Sequence, residues 1–484
     1  MNYGQFLNMM PEALLVLELI VIFFADFALT KDENKLSKLW TITVGTLLFQ
    51  TCLLFGLQEP TTAFGGIYVT SQMVNVMKVI LTAGTLVVVI MSRTWLETNK
   101  KLSGEFFMLV LSTLLGMYMM MSAGSFLMFF LGLEMASVPM ACMVAFDKKK
   151  KNSAEGAAKY ILLATFSSGV MLFGISFIYA ATGSLYFDNV AAALNDSVSL
   201  RSAAVSIMGL VFFFAGLGFK ISLVPFHFWT ADTYQGAPTP VTGYLSVVSK
   251  GAAALTLCII LTKVFGSMVD IWNPMLWIVI VLSITIANLF AIRQSELKRF
   301  MAFSSISQAG YIMLAVIGAD AQAGAAALTF YVLVYVVANM SVFTVISAVE
   351  HNGGSTKMSA YNGLYQTNPK LAFLMTIALF SLAGIPPFAG MFSKFFVFLA
   401  GVRGHEIAPF WPYFVVFIAL INTVVSLYYY LLIVKAMYIT KEEHPLPAFA
   451  TDGSTKLSLA ICTAGICLFG ICSCVYEWIA SALI

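Results

Sequence analysis

The chain has 484 residues, of which 60% are hydrophobic and 10% charged, with 41 Phe and a mean hydropathy of +0.90; soluble domains carry roughly 25% charged residues. A soluble fold cannot cover that much apolar surface, and apolar segments of about 20 residues recur from end to end with no polar block able to fold alone. The expected class is therefore one all-α polytopic membrane domain over residues 1–484, and the net charge of +3 reads as a consequence of topology, not as a sign of nucleic-acid binding.

The pattern predicts fourteen transmembrane helices, near residues 11–30, 39–58, 70–91, 105–121, 123–146, 155–182, 202–226, 237–265, 272–292, 300–318, 321–349, 368–401, 410–438 and 457–481. Only a short Ser/Gly stretch separates the fourth and fifth. The seventh contains Ser222-Leu223-Val224-Pro225-Phe226, and the twelfth, too long for one straight span, contains Gly384-Ile385-Pro386-Pro387. Pro225, Pro386 and Pro387 each remove a backbone donor inside a span, so both helices should be broken, and freed backbone groups are tolerated at that depth where they line a polar cavity. The breaks lie five spans apart. Five is odd, so two such copies must be inverted relative to each other, giving repeats of helices 4–8 (105–265) and 9–13 (272–438).

Charge gives the orientation. With the N-terminus outside, the cytoplasmic loops hold Lys31, Lys35, Lys38, Arg93, Lys100, Lys101, Lys148 to Lys151, Arg293, Lys298, Arg299, Lys357, Lys370, Lys441 and Lys456. The other side holds Arg201, Lys263 and Arg403, and seventeen against three is a clear positive-inside bias. Both termini should lie outside, and the run Lys148 to Lys151 reads as a topology determinant and headgroup contact. The N-terminus lacks the basic region of a cleaved signal peptide. Seven Cys are scattered without metal-ligand spacing and read as small packing residues. Gly216-Leu217-Gly218 follows no strand, which rejects a dinucleotide fingerprint.

Lys159, Lys220, Lys250, Lys394, Lys435 and Glu134 sit inside otherwise apolar spans. A charge at the membrane centre costs about 2.5–3.5 kcal/mol on insertion scales, so such residues persist where they pair, face water or carry protons. Lys78 and Lys435 lie near span ends and read as snorkelling side chains, as do Glu12 and Asp26; Glu18 is more central, with no evident partner. Lys159 follows Glu155 by four residues, the favourable order for a pair on one helix face, so a local ion pair and a functional role are both open to it. Glu134, Lys220, Lys250 and Lys394 are near mid-span with no opposite charge three or four residues away. Their partners must come from other helices or water, which favours a proton path over simple fastening. Lysine suits such a path, since desolvation disfavours its charge and a nearby carboxylate restores it.

The stretch Gly216 to Trp229, continuing through Asp232-Thr233-Tyr234-Gln235-Gly236-Ala237-Pro238, resembles the antiporter-like membrane subunits of respiratory complex I. So do Leu133-Glu134-Met135, Glu155 to Tyr160, Leu297 to Ser307 and Ser381 to Pro387, which together span the fifth to twelfth helices. The Tyr-Gln-Gly-Ala-Pro form and a lysine at 394 are similar to the N-type branch of that family. The resemblance implies a fifth-helix Glu134 paired with Lys220, a sixth-helix Lys159, a central Lys250 and an exit-side Lys394. His227 falls inside the motif near the end of the seventh span and is a candidate for the proton entry path. Gln308 stands where relatives usually carry histidine; it can hydrogen-bond water but cannot titrate.

The implied function is that of a non-redox, proton-translocating membrane-arm subunit of an NADH–quinone oxidoreductase, in the bacterial inner membrane. No cofactor is expected in this chain. Flavin mononucleotide and iron–sulfur clusters would lie in partner subunits of the hydrophilic arm, quinone would be the complex's substrate, and further membrane subunits would flank the chain. Two alternatives stand beside this one. The first is a subunit of a cation/proton antiporter or membrane-bound hydrogenase, and the second is a structural role in which the charges only fasten helices.

Overall fold

The computed structural model describes residues 3–196, 200–403, 410–442, 445–472 and 474–483. His405 and His444 lie outside the described residues. The helices in chain order are α1 Met10–Ala28, α2 Lys35–Gly56, α3 Gln72–Leu96, α4 Ser103–Met121, α5 Phe126–Val144, α6 Lys151–Thr182 and α7 Phe187–Asn195. There follow α8 Leu200–Ile221, α9 Trp229–Gly236, α10 Thr239–Tyr244, α11 Lys250–Ile259, α12 Val269–Ile292, α13 Leu297–Leu314 and α14 Ala321–Gly353. The rest are α15 Leu364–Thr367, α16 Pro369–Ala383, α17 Ala389–Val402, α18 Phe410–Tyr438, α19 Gly453–Ile471 and α20 Cys474–Ala480.

Among the described residues, eleven helical stretches are long and apolar enough to cross a membrane, and the shorter apolar helices α16 and α17 form the two halves of the twelfth predicted span. One of the eleven, Gln72–Met121, holds both α3 and α4. These fold back on each other: the Trp95 and Phe106 rings lie 5.5 Å apart next to the turn, and Thr82 bonds Tyr118 further along. The predicted split between the fourth and fifth helices is present, because the Ser125 side chain accepts from Met128 N (3.3 Å) and starts α5 afresh. A small departure from all-α is the hairpin of β1 (Thr62–Ala63) with β2 (Tyr68–Val69), in a loop too short and polar to register as strands.

Both breaks are present. α8 stops at Ser222, whose φ is 66°, and α16 stops at Gly384, whose φ is 88°. Glycine accepts that conformation freely, whereas a residue with a Cβ rarely does. The freed backbone groups find side-chain partners: Trp229 Nε1 donates to Phe219 O (2.9 Å), Ser283 Oγ accepts from Val224 N (2.9 Å), and Lys394 Nζ donates to Ala383 O (2.9 Å). The seventh span does not end near 226, as its hydropathy suggested. It continues through the break into α9, whose polar sequence WTADTYQG hides a helix with Trp229, Thr230, Thr233 and Tyr234 all buried. The eighth helix runs from Thr239 to Val264 through two π turns, one at Leu245–Ser249 just before Lys250. Such turns often mark functional positions.

Burial separates centre from periphery. The most apolar windows of α3–α4, of the eighth helix and of α14 are 94%, 89% and 89% buried, against 28%, 28% and 33% for α1, α2 and α6. In α13 every residue except Arg299 is buried. The periphery shows large apolar side chains, such as Phe24, Leu162, Phe166 and Phe417, as a lipid- or subunit-facing surface requires. Cys258 and Cys462 are packing residues as expected, but Cys52, Cys142 and Cys474 are exposed.

The helix that carries Glu134 is held by close backbone contact. A Cβ on Gly116 of α4 would lie 2.4 Å from Ala136 N, and one on Gly132 of α5 would lie 2.5 Å from Met120 N. Gly116→Leu should therefore separate α4 from α5 at a cost exceeding the usual overpacking range of about 1–3 kcal/mol. Detergent-solubilised protein should show a clearly lowered melting temperature, and an unchanged one would mean the two helices adapt.

Candidate functional site: a chain of buried lysines

Lys220 ends α8 at the break and is buried. Its ammonium donates to Ser137 Oγ of α5 and to Tyr160 OH of α6 (3.3 Å), and sits 5.4 Å from the centre of the Tyr160 ring. Glu134, one turn from Ser137, acts on Lys220 through its charge, yet no ion pair within 4.0 Å joins them among the described residues. Glu134 Oε1 is buried without a hydrogen-bond partner. The sequence-predicted pair is thus assembled but open, with the Ser137 hydroxyl holding the ammonium in place of the carboxylate. Pro139 lies inside the same helix, one turn beyond.

Lys250 is 1% exposed and donates to Ser305 Oγ of α13 (2.7 Å), with its ammonium 5.3 Å from the Tyr234 ring centre. Ser305 also meets Tyr234 OH (3.3 Å) and Ser246 O (3.4 Å). The aromatic series Tyr160, Trp229, Tyr234, at centroid separations of 5.1 and 6.3 Å, spans the interval from Lys220 to Lys250. Beyond Lys250, α13 carries the contacts onward. Ser304 Oγ bonds Tyr430 OH (2.5 Å), Gln308 Nε2 donates to Tyr430 OH (3.2 Å) and Leu382 O (3.3 Å), and Tyr331 OH donates to Gln308 Oε1. Gln308 therefore joins two tyrosines to the broken end of α16.

Lys394 lies in α17, beyond the break, and bonds Ala383 O, the carbonyl next to that of Leu382, with its ammonium 5.0 Å from the Tyr311 ring centre. It borders a narrow pocket that Gln308, Tyr331, Tyr335, Ser381 and Ser393 also line. A polar lining of this kind suits bound water. Tyr335 OH, at its wall, is a buried polar atom without a protein partner.

Lys159 belongs to a different setting. It is 42% exposed and pairs with Glu155 and Asp232, both at 2.7 Å, while Arg299 closes on Asp232 at 2.5 Å and on Gln235 Oε1 at 3.1 Å. The local pair read from the sequence exists, extended by two residues that sequence reasoning passed over. At the same end of the bundle Lys150 pairs with Glu350 (3.0 Å), so the basic run does more than set topology. Glu350, Lys298, Gln235 and Gly236 line an open recess there, and Lys298 Nζ reaches Ala237 O (2.8 Å). His227 lies in the break between α8 and α9, not at a span end; its ring stacks on Phe228, and its buried Nδ1 has no partner.

Three expectations for the first three helices need correction. Lys78 does not snorkel: it is 0% exposed and pairs with Glu12 at 2.7 Å. Proximity to a span end had suggested an interfacial position, but α3 is enclosed there by α1, α4 and the hairpin. Glu12 is buried with Lys78, and Glu18 is buried with Thr46 as a hydrogen-bonding neighbour, whereas Asp26 stays partly exposed near its span end and pairs with Lys35 at 2.8 Å. Lys435 is exposed as expected. Among the described residues no three His, Cys, Asp or Glu side chains converge to hold a metal ion.

Comparison with known proteins places this arrangement. Residues 123–426 match the family described as NADH:quinone oxidoreductase/Mrp antiporter, TM. The chain is 54% identical to NADH-quinone oxidoreductase subunit N of Phocaeicola vulgatus, over 100% of both chains, and 47% identical to the subunit of the same name from Azobacteroides pseudotrichonymphae, over 99% of this chain and 98% of that one. Among solved structures it is similar to a chain of respiratory complex I from Thermus thermophilus with bound aureothin, at 29% identity and a TM-score of 0.76, covering 95% and 97% of the two chains. A chain of the Mrp complex from Dietzia sp. shares the fold, with a TM-score of 0.83 at 18% identity over 97% and 96%. The chain belongs to the antiporter-like membrane-subunit family of NADH–quinone oxidoreductases, on its subunit N branch.

Proposed function

We propose that the chain moves protons as a membrane-arm subunit of an NADH–quinone oxidoreductase and holds no redox centre of its own. Flavin mononucleotide, iron–sulfur clusters and the quinone-reducing site belong to partner subunits in this reading, and the basic loops face the cytoplasm, with both termini outside. Residues 105–265 and 272–438 form the two inverted repeats, each with one broken helix.

The observation that carries the reading is the state of Lys220, Lys250 and Lys394. All three are buried, and among the described residues none has a carboxylate within 4.0 Å; hydroxyls hold Lys220 and Lys250, the Ala383 carbonyl holds Lys394, and each ammonium lies beside a tyrosine ring. A buried ammonium without a counter-ion is unfavourable in its charged form, so each site is poised to release a proton. Closure of Glu134 onto Lys220 would favour the charged lysine, and reopening would expel the proton and bias Lys250 next in line. The Ser/Tyr/Gln series on α13 then connects Lys250 to Lys394. The Lys159 cluster and the recess at Lys298 and Glu350 supply the cytoplasmic face of the path.

Lys220→Ala and Glu134→Ala should leave assembly largely intact while removing most proton uptake by inverted vesicles, since loss of a transferring group slows its step on the order of 10²-fold. Normal pumping by the assembled variants would contradict the assignment. Lys159→Gln should cost less, because its ion pairs are half-exposed and screened by solvent; a loss as deep as that of Lys220→Ala would make Lys159 an obligatory transfer site. Mild extraction followed by a native gel and mass spectrometry tests the setting itself. Co-migration with iron–sulfur subunits supports the oxidoreductase, and a band of antiporter subunits alone supports ion exchange.

A further inference from the structure

A fourth deep lysine lies outside the path above. Lys78 shares the setting of the other three, full burial with its ammonium beside tyrosine rings, here Tyr68 at 5.4 Å and Tyr118 at 5.3 Å. It differs in holding a carboxylate. Glu12 Oε1 accepts from Lys78 at 2.7 Å, and Glu12 Oε2 accepts from Tyr68 OH at 2.9 Å. Tyr68 belongs to the hairpin that covers the end of the bundle opposite the basic loops.

We infer that Glu12 and Lys78 form the terminal proton site of a second branch, which leaves Lys250 and runs along α3 to that hairpin. The inference rests on the proton-moving role proposed for Lys250. Lys78, Thr82 and Thr85 follow at i, i+4 and i+7, one face of α3, and cover about 10 Å along its axis. Thr82 Oγ1 meets Tyr118 OH, and Tyr118 OH reaches Lys78 O (3.4 Å). One turn deeper, Thr85 lies beside Tyr244, whose hydroxyl accepts from Thr113 Oγ1 (2.9 Å). Tyr244 stands two residues before Ser246, whose hydroxyl accepts from Asn339 Nδ2 (2.6 Å) and whose carbonyl accepts from Ser305, the partner of Lys250.

One buried polar atom along this line, Asn339 Oδ1 near Lys250, has no hydrogen-bond partner. Such atoms at membrane depth are satisfied by water. Fastening α1 to α3 is a weak reason for the ion pair, because a buried pair is often no more stabilising than apolar packing of the same volume. The proton balance closes without another reactant. The Lys250 ammonium loses one proton, each intervening hydroxyl or water takes one and passes one, and the Glu12 carboxylate gains one and releases it past Tyr68.

The test uses the whole complex in inverted vesicles, with proton uptake measured per NADH oxidised. Thr82→Val removes a mid-branch hydroxyl while leaving every charge in place, and the double variant Glu12→Gln with Lys78→Met removes the terminal site without unbalancing charge. Both should lose uptake per NADH, and Lys250→Met should lose it too. If Thr82→Val and the double variant pump as the parent does while Lys250→Met fails, the branch is overturned and the proposed path stands. If Lys250→Met also pumps normally, both fall. Should the double variant fail to assemble, Thr82→Val decides alone.

Discussion

An ammonium group enclosed in a membrane domain without a matching carboxylate is the constraint around which this fold is arranged. Insertion scales put the cost of a charge at the bilayer centre at about 2.5–3.5 kcal/mol. Lys220 and Lys250 meet that cost with hydroxyls, Lys394 meets it with a carbonyl freed by a helix break, and each has a tyrosine ring beside it. These partners stabilise the charge only in part, since a neutral acceptor does not balance an ammonium as a carboxylate does. The lysine stays close to both protonation states, which is what a relay requires.

The architecture follows from supplying those partners. Unwound backbone is excluded from contact with lipid, so the two breaks must sit inside protein, and the lysines at both breaks are buried among other helices. α13 lies at the centre because it serves three clients. Ser305 holds Lys250, Ser304 and Gln308 hold Tyr430, and Gln308 reaches the end of α16 next to Lys394. α3 is equally central, and its Thr82 and Thr85 hydroxyls face Tyr118 of α4 and Tyr244 of the eighth helix. The peripheral helices α1, α2 and α6 close the bundle and present apolar faces outward.

Much of this was legible in the sequence, for identifiable reasons. Hydropathy locates helices because lipid leaves the backbone no alternative, and prolines mark breaks because they remove a donor. Mid-span charges stand out because they are costly. Partners in space were not legible. Glu12 and Lys78 are 66 residues apart, Lys159 and Asp232 are 73 apart, and Lys150 and Glu350 are 200 apart. Distance from a span end suggested that Lys78 reached the interface, and only its neighbours Glu12, Tyr68 and Tyr118 show it enclosed. Ser137, Tyr160 and Ser305 could not be chosen from the many serines and tyrosines that decorate any apolar helix. The polar composition of α9 hid the second half of the seventh span, although the buried Trp229 and Tyr234 place it inside the bundle.

The most direct test of the account is to replace Lys250 with arginine in the intact complex and measure protons translocated per NADH oxidised. Arginine keeps the positive charge and a long side chain but does not deprotonate in proteins. If Lys250 works by releasing a proton, Lys250→Arg will assemble and lose pumping. Full pumping by the arginine variant would show that the charge alone is required, and the relay would be contradicted.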